Sequence, residues 1–226
     1  STSRVKVDLS KKKKIISFIG KLNSSKGYDI FCEAIIKILD KHKDWKALVI
    51  GDEPRQKYSY KHKRLIHYGY KDNNFILNKL KYVSISVVPS KWDEPFGRSS
   101  LEASSRGAAV IISNTGGLAE TSNHAIVIKN VSIENLYNKV DKLIVNKKYL
   151  KLLQNRNYKN FKLTNSQIST QVDNLRKTFL KKNIYININK LKTLKILHIT
   201  NFNERLDGRL HYNTGKRLNN GFIRLG

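Results

Sequence analysis

Ser84-Ile85-Ser86-Val87-Val88-Pro89 runs into Ser90-Lys91-Trp92-Asp93-Glu94-Pro95-Phe96-Gly97, then into Arg98-Ser99-Ser100-Leu101-Glu102-Ala103-Ser104-Ser105, and after Gly107 into Ala108-Ala109-Val110-Ile111-Ile112-Ser113. The first and last pieces are short, nearly continuous apolar runs, the pattern of strands buried on both faces of a parallel sheet. Between them lie a polar loop from Ser90 to Gly97 and a helix from Arg98 to Ser105, stopped at Gly107. Strand, loop, helix, strand is one turn of an α/β fold.

The same rhythm continues on both sides. Ile15 to Gly20 reads as a strand, followed by a helix that Asp29 can cap and whose buried stripe is Ile30, Ala34, Ile35, Ile38 and Leu39. Ala47 to Gly51 is a second strand, and Arg64 to Gly69 a third, more mixed one. Phe75, Leu77, Leu80 and Val83 mark a short helix after Asn73/Asn74. Downstream, Gly116-Gly117 reads as a turn and Ala125 to Ile128 as a sixth strand. Six strands alternating with helices imply an α/β doubly wound, Rossmann-like parallel sheet.

Past residue 130 the pattern turns helical. Ser132, with Glu134 nearby, opens one helix, and Ile168, Val172, Leu175 and Phe179 form a stripe expected to bury one face of another. The expected organisation is a linker over 1–14, a Rossmann-like domain over 15–182 and a second linker over 183–193. Residues 194–226 carry a fresh strand at Leu194 to Thr200, a loop at Asp207-Gly208-Arg209 and a helix from about His211; they either begin a second domain or dock as a tail.

Composition bounds the function. There are 44 Lys+Arg against 17 Asp+Glu, a formal charge of +27, yet the 21 aromatic residues (Tyr 11, Phe 8, Trp 2) argue for a folded chain. The charge is unevenly spread. Lys91 to Val127 has a net charge of −1, whereas Lys139 to Lys192 has +12 interleaved with apolar residues at helical spacing. The excess therefore reads as solvated helix faces, with attraction to an anionic membrane surface next in order and nucleic acid last. No apolar run approaches the roughly 20 residues of a membrane-spanning helix. The single cysteine, Cys32, can form no internal disulfide and reads as inert core, which suits a reducing, cytoplasmic compartment. The absence of Met, even at position 1, fits a processed chain or a fragment. His42, His62, His67, His124, His198 and His211 show no Ser or Asp partner in the sequence and read as structural or solvated.

Open parallel sheets bind ligands beyond the carboxyl ends of their strands. Three loops there stand out. Gly20-Lys21-Leu22-Asn23-Ser24-Ser25-Lys26-Gly27 places two ammonium groups where they can meet a diphosphate, but lacks the glycine, lysine and hydroxyl order of a P-loop. Glu94-Pro95-Phe96-Gly97 leads into a helix whose free N–H groups suit phosphate oxygens. Two carboxylates beside an anion site, Glu94 and Glu102, make sense if the ligand also offers hydroxyl groups, as a nucleotide-sugar does. Read singly, Glu94 is equally a helix cap and Glu102 equally a surface residue. Thr115-Gly116-Gly117-Leu118-Ala119-Glu120 permits a close backbone approach or a simple turn.

Together, Gly-Lys-x4-Lys-Gly, then Glu-Pro-Phe-Gly-x3-Leu-Glu-Ala, then Gly-Gly-Leu-x-Glu resemble the carboxyl-terminal, donor-binding domain of retaining GT-B glycosyltransferases of family 4, over about residues 15 to 182. The resemblance implies that Lys21 and Lys26 contact the donor diphosphate, with Lys21 where the family usually has Arg. It implies that Glu94 engages hydroxyls of the transferred sugar, that Phe96 and Gly97 present N–H groups to the phosphates, and that Glu102 holds the ribose hydroxyls. Less securely it places Tyr70 and Lys71 beside the base. Glu94, Lys26 and Lys21 are then the catalytic set, and no metal cofactor is implied. The implied partners are a nucleotide-sugar donor such as a UDP-sugar, and a saccharide or lipid-linked acceptor in polysaccharide biosynthesis. An acceptor domain would lie elsewhere in a longer protein, so the isolated chain is expected to bind donor but to transfer poorly. Two alternatives stay open: a non-catalytic sugar-nucleotide-binding partner, and a basic nucleic-acid-binding α/β protein.

Overall fold

The computed structural model describes residues 6–55 and 59–180. Six strands, β1 (Lys13–Ile19), β2 (Lys46–Ile50), β3 (Leu65–His67), β4 (Val83–Val88), β5 (Ala109–Ser113) and β6 (Ile126–Ile128), form one sheet. Its order is β3-β2-β1-β4-β5-β6. Every pairing is parallel, for example Ile16 with Ala47 and Ile85 with Ala109. This is the doubly wound arrangement that the sequence implies. The third strand, Leu65–His67, is shorter than the sequence suggests, although the Arg64 carbonyl still accepts from the Ala47 N–H (2.9 Å); the Arg64 guanidinium donates to the carbonyls of Leu39, His42 (2.8 Å) and Trp45 (3.1 Å), closing the end of the first helix against the sheet.

Helices cover both faces. On one, α1 (Tyr28–Lys41), α4 (Ile133–Val145) and α5 (Lys147–Lys159) bury Phe31, Ile35, Ile38, Leu136, Val140, Leu143 and Leu153 against Ile16, Val49, Ile85 and Ile111. On the other, α2 (Asn73–Leu80) and α3 (Arg98–Ser105) contribute Leu80 and Ala103 to a cluster with Leu48, Val83, Val110, Ile112 and Leu118. Each fully buried aliphatic or aromatic side chain contributes about 1.5–3 kcal/mol. Cys32 is fully buried in the first cluster, and burial pushes its thiol up to about 12, so it is inert core as expected.

Several expectations need correction. Asp29 does not cap α1; the N-cap is Gly27, in the left-handed region at φ +68°, and Asp29 sits in the first turn. Residues 116 and 117 begin a 3-10 helix, Gly116–Thr121, rather than a simple turn. Over its described part, 6–14, the segment read as a linker is joined to the domain. The Val7 N–H donates to the Tyr158 hydroxyl at 3.0 Å, and Lys12 Nζ donates to the carbonyls of Leu80 (3.0 Å), Val83 (2.8 Å) and Arg106 (2.7 Å). Burial pushes this ammonium down to about 7, while the three acceptors favour its charged form.

Helix α5, which the sequence places only within a helical region past residue 130, presents amides inward: Gln154 Nε2 donates to the Ser84 carbonyl (3.1 Å) and Asn157 Nδ2 to that of Ala108 (2.8 Å). Ser132 caps α4 through the Asn135 N–H, as read. By its internal contacts the chain divides into two units, Ser1–Asn174 and Leu175–Gly226. Along α6 (Asn165–Leu180) the stripe expected to be buried is exposed, at 39% for Ile168, 40% for Val172, 59% for Leu175 and 71% for Phe179. The readings for 183–193 and 194–226 lie outside the described residues.

Candidate functional site

The strand order reverses between β1 and β4, and such a switch point opens a crevice beyond the carboxyl ends of those strands. A cleft of about 360 Å³ occupies that place, with Gly20 at the end of β1, Val88 at the end of β4, and Lys26, Tyr70, Lys71, Glu94, Gly97, Arg98 and Glu102 on its walls. Of the eight residues singled out in the sequence, six therefore meet. Lys21 is exposed in the turn after β1 and does not line the cleft; neither does Phe96, whose side chain is 42% exposed.

The Gly20–Gly27 loop is held by its own side chains. Asn23 accepts the Lys26 N–H at 3.0 Å and donates from Nδ2 to Glu53 Oε2 at 3.2 Å. A hydrogen bond from Arg55 holds Glu53 down to about 2, so it stays an acceptor over the working pH range. Gly27 is needed for two reasons: its positive φ, and the Pro89 carbonyl oxygen, which would lie 2.0 Å from an added Cβ. The backbone N–H groups of Lys91 (2.8 Å) and Trp92 (3.1 Å) both donate to the Ser25 carbonyl, tying this loop to the one after β4.

Lys26 Nζ reaches Glu94 Oε1 at 2.5 Å, with side-chain exposures of 28% and 12%. The pair spans two loops 68 residues apart and closes one wall of the cleft. Glu94 is no helix cap. The N-cap of α3 is Gly97, at φ 73°, and its place is fixed by Leu118, whose Cδ2 would lie 2.4 Å from an added Cβ. The third loop supports the second: the Gly117 N–H donates to the Glu94 carbonyl at 2.7 Å.

Glu102, read alternatively as a surface residue, is 5% exposed. Burial raises its carboxyl above the ordinary range, with Arg98 and Arg106 acting against that rise. Arg98 Nη2 lies 3.3 Å from Glu102 Oε1, one helical turn away. Sequence reasoning missed Arg98, although its i,i+4 spacing to Glu102 was a readable signal. On the far wall Tyr70 is 74% exposed, and the ammonium groups of Lys71 and Lys79 sit 5.6 and 5.2 Å from the centre of the Phe75 ring.

Two histidines have Asp partners that the sequence did not reveal: His42 Nε2 meets Asp141 Oδ1 at 2.7 Å and His62 Nε2 lies 3.3 Å from Asp40 Oδ1. Neither lines the cleft. Among the described residues, no group of three or more His, Cys, Asp or Glu side chains is placed to hold a metal ion, and no helix is long and apolar enough to cross a membrane.

A parallel sheet of order 3-2-1-4-5-6, with a cleft at its switch point walled by Lys26 and Glu94, is the doubly wound arrangement that binds nucleotides in many α/β proteins. Residues 1–160 match the family model of the glycosyl transferases group 1, and the chain belongs to that family.

Among curated relatives, an uncharacterized glycosyltransferase of Methanocaldococcus jannaschii is 31% identical over 121 residues, covering 50% of this chain and 30% of the relative. The lipopolysaccharide core biosynthesis mannosyltransferase LpcC of Rhizobium leguminosarum is 28% identical over 116 residues, covering 47% and 33%. The aligned part covers between 28% and 33% of the first curated relatives, so the chain spans about a third of their length. Among solved structures, the C-terminal domain of LpcC from Francisella tularensis superposes with a TM-score of 0.57 at 28% identity, covering 64% of this chain and 82% of that domain. HepE from Anabaena, solved with UDP and glucose, gives 0.60 at 17% identity, covering 72% and 48%, a likeness of fold alone.

Proposed function

We propose that this chain is the donor half of a retaining glycosyltransferase, binding a nucleoside-diphosphate sugar in the cleft between the β1 and β4 loops. The observation that carries the reading is the convergence on one rim of Lys26 with Glu94, 68 residues away in the chain, and Glu102 beyond it. Lys26 has three N–H donors and so can keep Glu94 in place while donating to a phosphate oxygen. Glu94 accepts from hydroxyls of the transferred sugar, and Glu102 from the ribose. The N–H groups at the start of α3 face the phosphates beside Gly97.

As the bond from the sugar's anomeric carbon to the diphosphate breaks, its electron pair stays on the diphosphate. Lys26 and the helix N–H groups meet that growing charge already in position, which lowers the barrier without reorganisation. This reading needs no metal cofactor. The acceptor, a saccharide or lipid-linked saccharide, is held by another domain of a longer protein. The Lys-rich faces favour peripheral contact with an anionic membrane. The UDP in the HepE structure makes uridine the first base to try.

Calorimetric titration of the chain with UDP and with UDP-glucose tests the reading. Binding in the micromolar to millimolar range is expected, lost or at least tenfold weaker in Glu102→Ala, with no comparable affinity for duplex DNA at the same salt. Steeply salt-dependent DNA binding without UDP binding would reverse the assignment.

A further inference from the structure

Glu102 presents a problem that the donor reading does not solve. A carboxyl group accepts from two hydroxyls with both oxygens only when it is ionised, yet the Glu102 side chain is only 7% exposed, and burial disfavours the charge. Of the groups around it, Arg106 is itself 2% exposed, and its Nη1 is engaged with Ser105 Oγ at 3.0 Å. Lys26 is committed to Glu94. Arg98 is different: it lines the cleft, its side chain is 73% exposed, and it reaches Glu102 Oε1 at 3.3 Å from one turn earlier in α3. It binds one oxygen of the carboxylate.

We propose that Arg98 is a positioning residue of the donor site: by contacting Oε1 it keeps the buried Glu102 carboxylate charged and its orientation fixed, so that the group discriminates ribose from 2′-deoxyribose. The proposal rests on the donor reading for its ligand, but its electrostatic half does not. In this arrangement Arg98 acts through Glu102 and not on the phosphates, whose charge falls to Lys26 and the start of α3.

The contrast sets the test. Carboxyl NMR of the ligand-free chain is expected to show the Glu102 midpoint higher in Arg98→Leu than in the wild type by about 1 pH unit, with Arg98→Lys in between. UDP binding is expected to weaken more steeply in Arg98→Leu than in the wild type as pH falls, by up to about tenfold, the most that a one-unit midpoint shift allows. Recovery is expected toward pH 8, where Glu102 ionises even without the guanidinium. The preference for UDP over 2′-deoxy-UDP should shrink in parallel, while pyrophosphate, which has no ribose, binds wild type and variant alike. An unchanged Glu102 midpoint overturns the proposal whether or not UDP binds. Equal loss of UDP and pyrophosphate affinity at every pH also overturns it, because Arg98 would then be a direct phosphate ligand. If the midpoint moves but the wild type binds no UDP, the donor reading fails instead, and the link from Arg98 to ribose selection fails with it.

Discussion

The two ends of the sheet make a useful contrast. At the amino ends of β1 and β4 lies the larger hollow, about 610 Å³, lined by Lys12, Lys13, Lys14, Trp45, Lys147 and Leu150 among others. At the carboxyl ends lies the smaller cleft of about 360 Å³. Both hold lysines. At the amino end, however, the buried ammonium of Lys12 is saturated by three main-chain carbonyls, and Lys14 is paired with Asp44. At the carboxyl end, glycine-turned loops bring a half-buried Lys26 to Glu94 and point the start of a helix inward. Lys12 and Lys14 at the first end are taken up by partners away from the cleft, whereas Lys26 at the second pairs with Glu94 on the cleft wall itself. Volume alone would point to the amino end.

If that division holds, the largest single effect falls at the amino end and is one of stability. Lys12→Met leaves three carbonyls without their donor and is expected to cost about 3 kcal/mol in denaturant unfolding, while the folded fraction binds UDP unchanged. Gly97→Ala puts a Cβ against Leu118 in a left-handed backbone and should cost about 2 kcal/mol, with weaker UDP binding as well, measured by the same unfolding curve and by calorimetry. Lys26→Ala removes a donor to the phosphates and leaves Glu94 unpaired; a 10- to 100-fold loss of UDP affinity is expected with the fold retained. pH separates the ends further. Because burial raises Glu102, UDP affinity should fall as pH drops from 7 toward 5, through protonation of the acceptor carboxylate, whereas Lys12 has no part in that decline. The smallest effect tests the resemblance against the structure: Lys21→Ala should change UDP affinity less than about threefold, roughly 0.6 kcal/mol, since Lys21 lies off the cleft.

Much of this was legible because parallel strands buried on both faces are written as nearly continuous apolar runs: Ile15 to Ile19, interrupted only by Ser17, Ala47 to Ile50 and Ala109 to Ile112 admit few other readings. The region of helix α5 read as helical, but its bounds and buried face were not legible, since buried Gln154 and Asn157 interrupt its apolar stripe and satisfy carbonyls at Ser84 and Ala108. Periodicity detects apolar burial and is blind to buried amides. The stripe of α6 misled in the opposite direction, because spacing shows that a face is apolar and not that something covers it. At the site, the motif order brought Lys26, Glu94, Gly97 and Glu102 to one cleft, but no local pattern reports that Lys21 is exposed outside its lining or that Glu102 is buried. The His42–Asp141 contact, 99 residues apart in sequence, depends wholly on how α1 meets α4.

The central claim is that nucleotide binds at the β1/β4 switch point through Lys26, Glu94 and Glu102. Amide NMR of the chain during titration with UDP tests it most directly. The expected result is saturable shifts at Gly20, Lys26, Gly97, Arg98 and Glu102, with Lys12, Trp45 and Leu150 unmoved. Shifts confined to the amino-end hollow, or scattered over the Lys-rich helices and abolished by modest salt, would contradict it.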